Sequence, residues 1–514
     1  MDKTIESIRH LLYPASSRPE VAALPCIIEA AANDRVVTFE QFERLIDSAH
    51  GGLAALGVKK NDKVMLTAPN SPELAAAIAA TWRLGAVAIP VDFRMTLPEV
   101  FNVAKRISAA ALVASSRVIP DFEKTLTPVT ENGAKILDLC TITENSKPLA
   151  SVLDSLTPED DALVILTSGT TGIPKGAVHD LKTLVENLED WGNLVDMNST
   201  KKGLLPLPLS HVFGLEVTFV CVITAACVIF TDPASPKSFF ACLPKFKPHV
   251  LVGVPTLYMN MLAMDPNTVG LDNAEILLSG GAPLPTSLAS EFKARFGKTL
   301  NNGYGSTESK IISLNLGGPF ESVGRSIARA KVEIVNDRDE VLPEGQTGEI
   351  RISGPMLMKG YLNDKEATAQ VMKGDRYYTG DMGHMEDGYL FISGRTKEMI
   401  IVAGNKVFPS EVEDVLRKSP LVKEVAVLGL PHSKLGQIVK AIIVITDSEM
   451  SEKLEGSEEE KKEAKQHLVA QIKDYCKENL KRELRPMDWE FLPVQTTLPK
   501  TAIGKVDKKQ LVHA

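Results

Sequence analysis

Two long segments near the start of the chain carry apolar residues at helical spacing, 39–56 and 71–84. The second has clear end signals, because Ser71 can cap its first turn and Gly85 follows its last. Short apolar runs typical of strands lie around these helices, at 35–38, 63–66 and 86–91. Strands and helices that alternate in this way predict a parallel α/β layer.

The alternation continues further along the chain. An apolar run predicts a strand at 162–166, and short strands are predicted at 250–254, 274–278 and 299–304. Each segment leads directly into a polar or glycine-rich turn. Because ligands in open α/β sheets collect at the carboxyl ends of the strands, we expect 167–176, 279–283 and 303–308 to face one cleft.

Beyond residue 317 the predicted strands are shorter and are separated by Pro, Gly and Asp turns. This pattern predicts a small, mostly antiparallel subdomain over 318–395. From 396 to 514 helical and strand patterns mix. The predicted fold class is therefore α/β, with a large N-terminal domain of doubly wound sheets (1–395) and a smaller α+β C-terminal domain (396–514).

Composition and charge exclude several function classes. A net charge of -8 gives no electrostatic reason to expect nucleic acid as a partner. The six cysteines are scattered singly, which favours reduced thiols in a cytoplasmic protein over disulfides or a zinc site. The N-terminus lacks the pattern of a signal peptide. The longest apolar run, 217–230, is shorter than the about 20 residues that cross a bilayer, so we expect no transmembrane segment.

The segment 167–176 carries the first candidate chemistry. Its three glycines let backbone N–H groups turn toward a ligand, its hydroxyls add donors, and Lys175 adds a positive charge. This chemistry suits a polyphosphate, although the spacing is not that of the P-loop. A flexible surface loop rich in small polar residues is the alternative interpretation.

Six short sequence motifs together resemble those of one family, the adenylate-forming enzymes. This family includes acyl-CoA synthetases, aryl-CoA ligases, luciferases and the adenylation domains of peptide synthetases. The motifs occur in the family's order and extend to the end of the chain. The matching phrases lie at 167–176, 206–214, 304–308, 378–381, 394–398 and 499–505.

The resemblance implies ATP, Mg²⁺ and coenzyme A as cofactors or co-substrates. The phosphate-binding residues would be Thr167, Ser168, Gly169, Thr170, Thr171, Gly172 and Lys175. Glu308 would ligate Mg²⁺ together with Thr170, and Thr307 would contact the α-phosphate. A lone Thr-Glu pair after a glycine turn is also typical of a helix cap.

The nucleoside would lie against two further phrases. Asp381 would accept hydrogen bonds from the ribose hydroxyls, and Arg395 would donate to ribose or phosphate. By themselves, residues 379–383 are also typical of a β-turn. Tyr304 alone is also typical of a partly buried aromatic residue of the core. The residues expected around the adenine are Gly280, Gly281, Ala282 and Tyr304. Gly303, Gly305 and Ser306 are further expected cofactor-binding residues.

The resemblance also implies a mobile C-terminal domain. Lys505 would bridge the substrate carboxylate and the α-phosphate during adenylation, although a lysine in such a turn is also typical of a solvated surface. Lys397 occupies the hinge position. Rotation about the hinge would bring Gly404 to the cleft, where it leaves room for the pantetheine arm.

The sequence defines the carboxylic acid substrate less closely than the nucleotide. His211 would be a wall or gate of the acyl pocket, next to small or apolar residues that suit an uncharged acyl or ring group. No Asp follows Phe213 to bind an amino group, although Glu216 leaves that question open. Lys310 is predicted to be exposed, with contact to a second substrate carboxylate as the alternative. The other presumed pocket residues are Val212, Phe213, Val254, Gly303 and Ser306.

The predicted function is a free-standing acyl-CoA synthetase that activates a fatty, alicyclic or aromatic acid. Two alternatives are an acyl-AMP ligase that loads a separate carrier protein and a non-catalytic nucleotide-binding relative. Thr170, Glu308, Asp381, Arg395 and Lys505 are all present, which disfavours the non-catalytic alternative. The sequence leaves a homodimer open.

Overall fold

A computed structural model describes residues 3–145, 157–167, 175–232, 235–500 and 506–512. Several predicted site residues lie outside these ranges, namely Ser168, Gly169, Thr170, Thr171, Gly172 and Lys505. The remaining predicted site residues are all described.

The first region alternates strands and helices as predicted. Ser71 caps its helix by accepting a hydrogen bond from the Leu74 N–H at 3.1 Å. Thr38 and Gln41 form a reciprocal capping box at the start of the preceding helix. The elements are α1 (Lys3–Leu12), β1 (Pro25–Glu29), β2 (Arg35–Thr38), α2 (Phe39–Ala55), β3 (Lys63–Thr67), α3 (Pro72–Arg83), β4 (Val87–Pro90), α4 (Leu97–Ile107), β5 (Ala111–Ala114), α5 (Phe122–Glu131) and β6 (Lys135–Asp138).

The second region repeats the alternation and contains the strands expected to end at the cleft. The apolar run 217–230 is divided between a helix and a strand. The elements are β7 (Asp161–Thr167), β8 (Lys175–Asp180), α6 (Leu181–Leu194), β9 (Lys202–Leu205), α7 (Val212–Ile223), β10 (Cys227–Phe230), α8 (Pro236–Phe246), β11 (Val250–Gly253), α9 (Pro255–Met261), β12 (Ile276–Ser279), α10 (Thr286–Phe296) and β13 (Leu300–Ser306).

The third region is rich in β-strands that pair antiparallel, as the short segments and turns predicted. The elements are β14 (Lys310–Leu314), β15 (Ser322–Ser326), β16 (Lys331–Val335), β17 (Gly348–Ser353), β18 (Gly360–Tyr361), α11 (Lys365–Val371), β19 (Met372–Lys373), β20 (Arg376–Glu386) and β21 (Tyr389–Arg395).

The last region combines strands and helices around its own apolar cluster, to which both β25 and the long helix α14 contribute. The elements are β22 (Ile400–Val402), β23 (Asn405–Val407), α12 (Pro409–Leu416), β24 (Val422–His432), β25 (Gly436–Ile445), α13 (Ser448–Glu455), α14 (Glu458–Asn479), β26 (Asp488–Leu492) and α15 (Lys508–Val512).

Within the described residues the strands form three sheets. One has the order β18-β8-β7-β4-β3-β5-β6, and its strands from β7 to β6 run parallel. The last region forms a separate sheet of β23, β22, β25, β24 and β26. The predicted α/β fold with an α+β C-terminal region is confirmed, while the boundary near residue 395 stays a prediction.

The largest sheet changes character at one strand. Its order is β16-β17-β20-β21-β15-β14-β13-β12-β11-β9-β10-β1-β2, with β19 paired to β20. Strands β1 and β9 to β13 are parallel, whereas β13 pairs antiparallel with β14. Residues 303–308 therefore lie where the parallel part of the sheet meets the antiparallel part.

Helices of the first two regions share one apolar core. Trp82 of α3 packs against Phe219 of α7, with ring centroids 4.7 Å apart. The Trp82 indole also donates to the Ala162 carbonyl at 2.8 Å, which ties α3 to β7.

All six cysteines are free thiols, as predicted. Across the described part of the chain, no helix has both the length and the apolar character needed to span a membrane.

Candidate active site

The turn after β13 is built by close backbone packing. A Cβ on Gly305 would lie 2.2 Å from the Lys310 carbonyl oxygen, so this position requires glycine. The Ser306 N–H donates to the Ser309 hydroxyl at 3.2 Å and closes the turn. The turn carries Thr307 and Glu308, both half-buried, and their roles toward a ligand stay predictions.

The Glu308 carboxylate is held by a tyrosine that the sequence analysis missed. The Tyr361 hydroxyl donates to Glu308 Oε1 at 2.7 Å. Burial, and next the Glu308 charge, raise the pKa of the Tyr361 hydroxyl, so it stays protonated and donates. Lys175 Nζ lies 5.1 Å from the centroid of the Tyr361 ring. Tyr361 thus links the predicted phosphate-binding lysine to the predicted metal ligand.

Strand pairing produces this arrangement. Strand β18 pairs with β8, which places Tyr361 opposite Ala177 and close to Lys175. The Thr167 hydroxyl donates to the Lys175 carbonyl at 3.3 Å, so the two residues that flank 168–174 are in contact. Of the predicted phosphate-binding residues, these two are the ones the structure describes.

The donor set around Glu308 fits Mg²⁺. No group of three or more His, Cys, Asp or Glu side chains that could enclose a metal ion occurs in the described ranges. Magnesium in nucleotide enzymes needs only one or two carboxylates, because phosphates and water supply its other oxygen ligands. The half-buried Glu308 carboxylate meets that requirement.

Asp381 lies in a second polar cluster with Tyr304 and Arg395. The Tyr304 hydroxyl donates to Asp381 Oδ2 at 2.6 Å, and Arg395 Nε lies 3.0 Å from Oδ1. The register of β20 and β21 creates the ion pair, because Asp381 pairs directly with Arg395. Burial and the Asp381 carboxylate raise the pKa of the Tyr304 hydroxyl. The three residues predicted at the nucleoside are thus in direct contact.

The glycine segment after β12 lies against the predicted acyl-pocket wall. A Cβ on Gly280 would lie 2.9 Å from the Phe213 ring, so the ring packs on the backbone there. Gly281 has a left-handed φ of 75°, and Ala282 is half-buried. The Phe213 ring also contacts Trp191, with centroids 5.9 Å apart. This side of the cleft is apolar.

His211 has a local structural contact in addition to its predicted pocket role. It is the N-cap of α7, and its Nδ1 accepts a hydrogen bond from the Phe213 N–H at 3.3 Å. Asn70, which the sequence analysis did not identify, bonds the backbone of Leu207 and Leu209 at 2.8 and 2.9 Å. Asn70 follows β3, so it ties the segment before α7 to the other sheet.

The predicted exposure of Lys310 is wrong. The side chain is fully buried, with 1% of the residue exposed. Its amine donates to His179 Nδ1 at 2.9 Å and to the Met356 carbonyl. The reason is the antiparallel pairing of β13 with β14, which turns the chain back into the protein directly after the exposed Gly305. The amine is therefore already engaged inside the protein.

Two predicted residues lie in the C-terminal part of the chain. Lys397 is exposed in a single 3₁₀ turn, Thr396–Glu398, directly after β21. Gly404 occupies the exposed turn between β22 and β23, with φ 86° and open space where a side chain would begin. Their predicted roles as hinge and pantetheine contact stay predictions.

If Glu308 ligates Mg²⁺ as the resemblance implies, removing the Tyr361 hydroxyl should weaken the binding of Mg²⁺–ATP. We expect Tyr361→Phe to raise the Mg²⁺ concentration that half-saturates ATP–pyrophosphate exchange about fivefold, the effect of losing about one hydrogen bond to Glu308. Tyr378→Phe is a matched control, because that hydroxyl donates to Asp339 at the same distance, 2.7 Å. An unchanged Mg²⁺ requirement in Tyr361→Phe would contradict the assignment.

Comparison with known proteins gives a consistent result. A family model described as "AMP-binding enzyme" matches residues 14–362, and one described as "AMP-binding enzyme C-terminal domain" matches residues 411–505. The crystal structure of ATP-bound MatB from Rhodopseudomonas palustris superposes with a TM-score of 0.86. It is 24% identical, and the match covers 98% of both chains.

Curated relatives align over nearly their whole length. A long-chain-fatty-acid–CoA ligase from Mycobacterium tuberculosis is 29% identical over 507 residues, 95% of each chain. An indoleacetate–CoA ligase from Aromatoleum aromaticum is 30% identical, and the match covers 93% of this chain and 94% of the relative. The chain therefore belongs to the AMP-binding enzyme family, as an AMP-forming acid–thiol ligase of the acyl-CoA synthetase type.

Proposed function

We propose that this protein joins the carboxylate of an acid with an uncharged acyl group to the AMP moiety of ATP, releasing pyrophosphate, and then transfers the acyl group to coenzyme A, releasing AMP. The observation that carries the proposal is the grouping at the turn after β13. There the Tyr361 hydroxyl bonds Glu308 and the Tyr361 ring faces Lys175, while Tyr304 near the end of β13 bonds Asp381. The end of β13 and the turn after it thus bring the predicted phosphate-binding and nucleoside-binding residues close together.

Each residue would contribute a binding interaction. The Asp381 carboxylate keeps free lone pairs beside Tyr304 and Arg395, so it can accept from the ribose hydroxyls. Tyr304 and the segment 280–282 would enclose the adenine. Lys175 and the segment 167–172 would bind the β- and γ-phosphates and retain pyrophosphate as it leaves. Gly404 would make room for the pantetheine arm of coenzyme A.

Charge neutralisation at the α-phosphate would come from several groups. Thr307 would donate a hydrogen bond, and Lys505 would approach both the α-phosphate and the substrate carboxylate. Glu308, with Thr170, would hold Mg²⁺, which supplies positive charge to the phosphate oxygens when bound. These residues would orient the carboxylate for attack and stabilise the negative charge that develops on the phosphate oxygens.

The acid is proposed to be fatty, alicyclic or aromatic. Phe213, whose ring packs against Gly280 and contacts Trp191, supplies apolar surface there. The buried Lys310 amine bonds His179 and Met356, so a second substrate carboxylate would have to displace these contacts. The relatives named for a long-chain fatty acid and for indoleacetate are consistent with an uncharged acyl group. A cytoplasmic location fits the free thiols.

A panel of acids tests the proposal directly. Pyrophosphate release would be measured with fatty, aromatic and alicyclic acids, each with and without coenzyme A. We expect sustained turnover only with coenzyme A and formation of the matching acyl-CoA. Activity that needs an acyl-carrier protein instead would identify an acyl-AMP ligase, and no release with any acid would contradict the proposed activity.

The hinge assignment gives a separate prediction. Lys397→Pro fixes φ at the position that must change when the C-terminal domain rotates, so we expect one half-reaction to fall at least about tenfold and the other to change little. Lys397→Ala is the control, because it removes the side chain and keeps backbone freedom. The rates of adenylation and of thioester formation from supplied acyl-adenylate measure the difference. Wild-type rates in both steps would show that the hinge lies elsewhere.

A further inference from the structure

Two buried basic side chains lie behind the turn that presents Thr307 and Glu308. His179, at the end of β8, is 0% exposed, and Lys310, at the start of β14, is 1% exposed. The acidic groups that face Lys310 are Glu216 of α7 and Asp180, the N-cap of α6. A fully buried lysine is rare unless its amine forms hydrogen bonds or ion pairs. The burial of Lys310 therefore indicates a role inside the protein.

The hydrogen bonds form a chain with one direction. Lys310 Nζ donates to His179 Nδ1 at 2.9 Å, and His179 Nε2 lies 2.8 Å from the Thr307 carbonyl oxygen. Because Nδ1 accepts from the lysine, the proton of the neutral imidazole is on Nε2, which donates to Thr307. An amine has donors whether or not it is charged, so the chain does not depend on the titration of Lys310.

The same turn is bonded from a second segment. The Met358 N–H donates to the Glu308 carbonyl at 2.7 Å, and Lys310 Nζ also donates to the Met356 carbonyl. The carbonyls of Thr307 and Glu308 are thus both fixed, one by His179 and one by Met358. The backbone that carries the two predicted ligand-contacting side chains has little freedom to move.

The backbone of Lys310 indicates that its side chain is needed there. Its φ is 57°, in the left-handed region that non-glycine residues adopt infrequently. A glycine would adopt this conformation without strain, but it would leave His179 Nδ1 without the Lys310 donor. The hydrogen bonds to His179 and Met356 compensate for the unfavourable backbone conformation and the burial of the amine.

We propose that Lys310 and His179 are positioning residues that hold Thr307 and Glu308 in the geometry required to bind the α-phosphate. This inference rests on the proposed function only for the identity of the nucleotide. Neither side chain needs to contact the substrate, because both act through the Thr307 carbonyl. The predicted defect is therefore confined to nucleotide binding and should not extend to coenzyme A.

The test compares Lys310→Met and His179→Phe, which keep side-chain volume and remove the polar atoms. We expect each variant to weaken AMP binding in calorimetry, and to raise KM for ATP, by about tenfold, with KM for coenzyme A unchanged. The double variant should be no weaker than either single variant, since both interrupt one chain. Lys202→Met is the control, because that amine also donates to a backbone carbonyl, of Phe246 at 3.0 Å, away from this turn.

Thermal unfolding and circular dichroism would first establish that each variant is folded. If Lys310→Met does not fold, His179→Phe carries the test, and the His179→Gln variant offers a smaller change that keeps a donor for Thr307. Wild-type affinity for AMP in a folded variant would overturn the proposal, as would equal rises in KM for ATP and coenzyme A. AMP binding is measured without any acid, so a failure of the proposed acyl-CoA synthetase activity would be recognised separately.

Discussion

Replacing Asp381 with asparagine should lower ATP–pyrophosphate exchange about 100-fold, mostly through a higher KM for ATP. The expected loss corresponds to about 3 kcal/mol, the contribution of two charge-assisted hydrogen bonds to the ribose. Asparagine keeps the shape of the side chain but removes the charge that faces Arg395 and replaces one acceptor oxygen with a donor. Both changes act at a buried site, where water cannot compensate for them.

The chain contains a matched control for this substitution. Asp339 also accepts a tyrosine hydroxyl, from Tyr378 at 2.7 Å, and pairs with an arginine, Arg351, at 2.7 Å. Its side chain is 40% exposed, whereas that of Asp381 is 8% exposed. We expect Asp339→Asn to leave KM for ATP unchanged, as measured in the same exchange assay. Equal effects of the two substitutions would contradict a ribose-binding role for Asp381.

Local signals were sufficient to predict the elements that surround the site. The helix after Ser71 begins where its cap and Pro72 predicted, because both groups act within one turn. The apolar run at 162–166 forms most of β7, since a strand buried on both faces is apolar throughout. The short segment predicted as a strand at 299–304 begins β13. These helix and strand boundaries depend on residues that are close together in the sequence, so they can be predicted from it.

The contacts that organise the site depend instead on pairing between distant segments. Tyr361 reaches Glu308 only because β18 pairs with β8 across about 180 residues of sequence. Lys310 follows the polar residues Glu308 and Ser309, so its local pattern indicated a surface position. Its burial results from strand pairing and from contact with His179, neither of which has a local signal.

Replacing Lys505 with alanine should have the largest effect on adenylation. We expect a loss of about 1,000-fold in ATP–pyrophosphate exchange, because no other residue of this family's pattern would neutralise both the attacking carboxylate and the α-phosphate. Thioester formation from supplied acyl-adenylate should stay within about threefold of wild type, since the proposed rotation withdraws Lys505 before coenzyme A attacks. Single-turnover measurements of the two half-reactions separate these outcomes.

Lys500 provides the control in the same segment. It pairs with Val506 through an isolated β-bridge, and its amine lies 3.4 Å from Glu424, so it has a surface ion pair. Lys500→Ala should leave both half-reactions within about twofold, because a surface ion pair contributes little to stability. A similar loss of both half-reactions in Lys505→Ala would mean that this lysine stabilises the protein or binds AMP in both steps. The selective loss of adenylation would instead connect its charge to formation of the mixed anhydride.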